Sequence, residues 1–199
     1  MAIKNVKVTI NKDDLLGELG KGRNSRVTNS LVEESVEESV EKSRKEMLMD
    51  FEQHPVTKEI DAGPNSSNSS GTLNGYGNLF SFIGFQKGSS PTSVVKNTLS
   101  KPIKLKVKSS RRGKFVVQTD FPNKEEIENS AQIPWATGLS WMKGIEKGIS
   151  GLGEFLYKRK SSSASRSGKG IQTKANLNRK FVTTTYFSKI YKDFINRIK

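Results

Sequence analysis

The stretch from Ser30 to His54 constrains the fold more than any other part of the chain. Val32, Val36, Val40, Met47 and Phe51 recur at multiples of three and four residues, with Ser43 as a weak point in the row. That spacing lines one face of an α-helix. Ser30 and Glu33 form an S-x-x-E pattern, in which each side chain satisfies a backbone N–H that the first turn leaves open. Acids come early (Glu33, Glu34, Glu37, Glu38, Glu41) and bases later (Lys42, Arg44, Lys45), the order the helix dipole favours. Pro55 disfavours helical geometry at His54 and ends the run. At about 24 residues the helix spans on the order of 36 Å. Its apolar stripe is narrow, so it packs on one surface and leaves its charged faces to solvent or a neighbouring subunit.

Other elements follow less sharply. Residues 3–10 alternate Val6, Val8 and Ile10 with Lys7 and Thr9 and predict a short strand. Gly17–Arg26 reads as a flexible connection, and Gly63–Gly77 as a polar loop. The N-x-S sequons at Asn65 and Asn68 are a by-product of that composition. NLFSFIGF (Asn78–Phe85) predicts either a buried strand or an apolar contact patch. Ile103, Leu105 and Val107 alternate with Lys104, Lys106 and Lys108, SSRRG turns the chain, and Phe115, Val117 and Thr119 return as a hairpin.

Residues 134–157 predict a second helix, opened by Pro134 and carrying Trp135, Leu139, Met142, Ile145, Ile149, Leu152 and Leu156 at helical steps. Five glycines from Gly138 to Gly153 weaken it, each by about 1 kcal/mol relative to alanine. Close approach to another backbone would compensate. FVTTTYF (Phe181–Phe187) favours a strand, and Phe187, Ile190, Tyr191, Phe194, Ile195 and Ile198 mark a C-terminal amphipathic helix. These elements together give an α+β fold class. The expected organisation is an N-terminal strand and arm (1–29), a core domain (30–157), a basic serine-rich loop (158–180) and a C-terminal strand and helix (181–199).

Charge then narrows the partners. The 199 residues carry a net +14, but residues 1–60 hold 10 bases against 12 acids and the remainder 24 against 8. A cationic surface of that kind faces something anionic. Only 33% of the chain is apolar, no run approaches the roughly 18 residues of a membrane span, and cysteine is absent. The expectation is a non-membrane, intracellular chain with a modest core.

Catalytic patterns are hard to assemble from these residues. His54 is the sole histidine and precedes a proline at a helix end, so it reads as a polar terminus rather than a base. It has no second His or Cys with which to hold a metal. Neither a phosphate loop nor a G-x-S-x-G elbow occurs. Paired acids such as Glu33/Glu34 and Glu37/Glu38 sit on solvated helix faces. The expectation is no enzyme and no cofactor.

A long capped helix, the segment AGPNSSNSSGTL (Ala62–Leu73), an aromatic segment, a basic hairpin and two further helices now stand in order. This arrangement, over roughly residues 30–150, resembles the tail-completion or head–tail joining (neck) proteins of tailed bacteriophages. The matching residues are Gly63, Pro64, Gly71, Thr72 and Leu73, which would open the first sheet segment. The loop Asn65–Ser70 and the arm 158–170 are longer than that pattern has. The resemblance implies helices packed on a small antiparallel sheet, with long loops. It also implies a non-catalytic virion protein, made in the host cytoplasm. Copies would form a ring at the neck beside the connector, tail tube or terminator, with possible contact to DNA.

On that reading Leu79, Phe80, Phe82, Phe85, Trp141, Gly144, Gly148, Phe194 and Ile198 are candidate subunit contacts. Lys104, Lys106, Lys108, Arg111, Arg112, Lys158, Arg159, Lys160 and Arg166 are candidate contacts to an anionic partner. The alternative is a nucleic-acid-binding module using segments 101–114 and 158–170. Against it, the aromatics lie in apolar runs rather than between bases, where they would serve as stacking platforms. Lysines on a strand also have the simpler role of blocking edge-to-edge aggregation.

Overall fold

The computed structural model describes residues 7–11, 25–73, 76–109, 114–148, 155–157, 165–167, 171–173 and 181–198. The fold is α+β, with a long helix near the N-terminus and a small antiparallel sheet. Strand β1 (Lys7–Asn11) leads, and helix α1 runs from Ser25 to Gln53 over 29 residues, about 44 Å. Helix α2 (Pro55–Asp61) follows at once, then a single 3-10 turn (Gly63–Asn65) and helix α3 (Leu79–Ile83). Helix α4 (Ser93–Leu99) precedes the hairpin β2 (Leu105–Ser109) and β3 (Lys114–Thr119). Helix α5 (Lys124–Ser130), the short hairpin β4 (Gln132–Ile133) and β5 (Ala136–Ser140), and helix α6 (Trp141–Lys147) come next. Strands β6 (Phe155–Tyr157) and β7 (Ile171–Thr173) pair, and helix α7 (Phe187–Arg197) closes the chain.

The main sheet has order β1-β3-β2, with both neighbours antiparallel to β3. Val8 and Val107 both register with Val117, so the predicted hairpin forms in the predicted phase and the N-terminal strand joins it. Helix α1 touches β2, α4 and α7. Its expected stripe is real, since Val36, Val40, Met47 and Phe51 are buried. Ser43 lies buried within that row with its hydroxyl satisfied, donating to Ser39 O at 2.8 Å. A chain of rings runs through the centre, from Phe51 on α1 to Tyr186, Trp141, Phe85 and Phe80, with successive centroids 5.9, 6.3, 6.1 and 5.5 Å apart. Aromatic pairs at such separations add about 0.5–1.5 kcal/mol each beyond area burial. They tie α1, α3, α6 and the residue before α7 into one core.

Four expectations need correction. Helix α1 begins at Ser25, so Ser30 and Glu33 lie inside it and do not cap it. Residues 79–83 are buried as expected but form helix α3, not a strand. Asn78 caps its start, and Gly84, with φ +83°, ends it in a left-handed conformation that suits glycine. The helix expected over 134–157 is broken up. Pro134 and Trp135 form the turn of the β4–β5 hairpin, among the described residues of this span only Trp141–Lys147 is helical, and Phe155–Tyr157 is a strand. The glycines that lower helix propensity decide this, with Gly138 at φ +83° and Gly148 at φ +87°. Finally, Phe181 makes a single antiparallel bridge to Leu73, and 182–186 lie outside any strand. The turn at 110–113 and most of the basic arm 158–170 lie outside the described residues.

Candidate functional site

The segment between α2 and α3 contains Gly63, Pro64, Gly71, Thr72 and Leu73. Irregular backbone has open N–H and C=O groups that something must satisfy. Two side chains do most of that. Glu59 on α2 is fully buried, and its carboxylate accepts the N–H of Ser70 at 2.7 Å and of Leu79 at 2.6 Å. One carboxylate thereby fixes both the loop tip and the first residue of α3.

Asn78 works from the other side. Its amide nitrogen lies within hydrogen-bonding distance of the carbonyls of Gly63, Pro64 and Ser66, at 3.3, 3.2 and 2.8 Å. Its side-chain oxygen accepts the N–H of Ser81 at 2.9 Å, which caps α3. Within the loop, Asn68 donates to Leu73 O and accepts the Leu73 N–H, and the hydroxyls of Ser70 and Thr72 meet at 2.9 Å. Gly63 and Gly71 take φ +71° and +68°, where a side chain would be strained. The end of the loop is then stitched to the C-terminal segment by the Leu73–Phe181 bridge and by Val182 N–H donating to Thr72 O at 2.8 Å. On the outer face Pro64, Asn65, Ser66, Tyr76, Gly77 and Asn78 line a shallow polar recess of about 230 Å³.

The candidate contacts named from sequence fall in three places. Leu79, Phe80, Phe82, Phe85, Trp141, Phe194 and Ile198 are buried in the chain's own core, so as folded they offer no surface to a partner. Each packs where its own element meets a neighbour: Phe82 stacks on Phe181 at 5.4 Å and Phe194 tilts against Phe121 at 5.1 Å. Gly144 is buried within α6 and Gly148 is the exposed residue that ends it.

Of the basic set, Lys104 is exposed beside β2, with its backbone N–H donating to Asp120 at 2.8 Å. Lys106 and Lys108 lie on β2, opposite Gln118 and Val116. Arg111, Arg112, Lys158, Arg159 and Lys160 lie outside the described residues. Arg166 is exposed, with its guanidinium over the Trp135 ring at 5.5 Å and its carbonyl accepting the N–H of Lys87 at 3.1 Å. Trp135 in turn donates to Ile83 O at 2.7 Å, which anchors this point of the arm on the end of α3.

Electrostatics here is mostly structural. Arg44 is buried between Glu41 and Leu99 O, and it donates to the latter at 2.7 Å. The hydrogen bond from Arg44 holds the Glu41 carboxyl below its usual range. Burial pushes the Tyr186 phenol far up, and its hydroxyl meets that of Thr57 at 2.6 Å. Among the described residues no group of three or more His, Asp or Glu side chains is placed to hold a metal. No described helix is long and apolar enough to cross a membrane.

Sequence reading missed Glu59 and Asn78. Asn78 carried a signal, since an Asn immediately before an apolar run, with Gly84 just past it, is a cap pair. Glu59 carried none, because nothing in PVTKEID marks one acid as buried. No family model, no curated protein and no solved structure matches the chain.

Proposed function

We propose that this chain is a non-catalytic structural subunit of a tailed-phage neck, assembling with copies of itself as a ring between connector and tail. The observation that carries the reading is the held corner between α2 and α3. The segment that resembles neck proteins is an ordered, solvent-facing polar loop, gripped by Glu59 and Asn78 and stitched to residues 181–182. A loop fixed at this many points presents one shape to a partner, and little ordering entropy remains to be lost on contact. The insertion that departs from the neck-protein pattern, Asn65–Ser70, is itself tied in through Asn68 and Ser70. Its polar outer recess suits a wet protein–protein contact better than a reaction.

Electron microscopy of the purified protein tests this reading. Closed rings of uniform diameter are expected. Single particles that bind duplex DNA, with affinity falling steeply as salt rises, would overturn it in favour of a nucleic-acid-binding module.

A further inference from the structure

Helices α1 and α2 meet at His54, which takes an extended backbone conformation and serves as the cap of α2. Its Nδ1 accepts the Val56 N–H at 3.2 Å. The imidazole is half-buried against the Tyr186 ring, with centroids 4.7 Å apart, beside the segment that leads into α7. One ring thus holds the start of α2 and the segment that feeds α7. Only neutral imidazole has a lone pair on Nδ1, so a second ring proton would set N–H against N–H at the cap.

We propose that His54 is a pH-sensitive latch: neutral, it caps α2 and holds the entry to α7, and protonation breaks the cap and loosens residues 185–197. The surroundings favour the neutral state. Burial lowers the His54 pKa from its ordinary value, the Thr185 contact opposes that, Lys189 of α7 lowers it further and Glu146 of α6 raises it. Tyr186 adds no charge, being held neutral by burial. Glu146 is already engaged, accepting the N–H of Tyr186 at 3.0 Å and of Ser188 at 2.7 Å, with Lys124 at 4.0 Å. For a base whose pKa is lowered on folding, the contribution is full above the unfolded value of about 6.5 and is lost as pH falls below it. The latch therefore opens as pH falls below that unfolded value.

Because His54 is the sole histidine, its ring resonance is unambiguous in the intact protein. Proton NMR of that resonance between pH 7.5 and 5 should give a midpoint below 6.5. Amide exchange over 187–197, corrected for intrinsic rate, should show a roughly tenfold loss of protection for each pH unit by which the midpoint lies below 6.5. His54→Asn retains a cap acceptor that does not titrate, and it should abolish the pH step. A midpoint at or above 6.5 overturns the latch, as does unchanged exchange across the titration. The same pH step persisting in His54→Asn also overturns it.

Discussion

The carboxylate of Glu59 on α2 accepts the backbone N–H of Leu79 at 2.6 Å, so the last turn before the polar loop holds the first residue after it. The other oxygen takes Ser70. Replacing Glu59 by Ala leaves a buried N–H at Leu79 and a part-buried one at Ser70 without their acceptor. Each such loss costs roughly 1–3 kcal/mol, so E59A should lower stability by about 3 kcal/mol in urea denaturation. E59Q keeps one acceptor and should fall between E59A and the wild type.

Tyr186 and Thr57 form a second long-range tie, with their hydroxyls 2.6 Å apart in the core. Y186F and T57V should each cost about 1 kcal/mol. The double variant should cost less than the sum, with a coupling of about 0.5–1.5 kcal/mol from thermal or urea unfolding. Strict additivity would mean that the two hydroxyls do not share a bond.

Gly84 ends α3 at φ +83°, and a Cβ there would lie 2.8 Å from Trp135 Nε1. Both the backbone strain and the contact oppose a side chain, so G84A should cost about 1–3 kcal/mol. It should also shift the emission of Trp135 by displacing the indole from Ile83 O. Gly63 and Gly71 have open space at the Cβ position. Alanine there meets the strain alone and should cost less.

Acid should weaken the α1–α4 contact through Glu41. Its hydrogen bond from Arg44 lowers the folded-state pKa below the ordinary 4.5. The stabilisation is therefore present above that value and is lost as pH falls through the lowered one. In thermal unfolding between pH 5 and pH 3, E41Q should show a shallower fall in Tm than the wild type. An identical slope would exclude Glu41 as a contributor.

Much of this architecture was legible in the chain. The Val36–Phe51 stripe predicted α1, and the lysine alternation predicted β2 and β3, because each pattern has a clear period. The ends and the short elements were less so. Nothing between Ser25 and Ser30 breaks a helix, so α1 runs through the S-x-x-E pattern that suggested its start. Residues 79–83 are buried on every side, Ser81 included, and carry no period that separates strand from helix. Only the caps at Asn78 and Gly84 make the distinction. Trp135, Leu139 and Met142 sit at helical spacing yet belong to a turn, a strand and a helix. There, glycine placement overrides hydrophobic spacing.

The candidate site was half legible. Gly63, Pro64, Gly71, Thr72 and Leu73 stood out as a motif, but the groups that fix them come from elsewhere in the chain. A buried acid such as Glu59 is recognisable only once the fold brings Ser70 and Leu79 to it.

The central claim is that this is a ring-forming subunit. The most direct measurement is its mass in solution by light scattering, at low and at high salt. A closed oligomer of several copies, its mass unchanged by salt, is expected. A monomer at both salts, carrying nucleic acid that leaves only at the higher one, would contradict it.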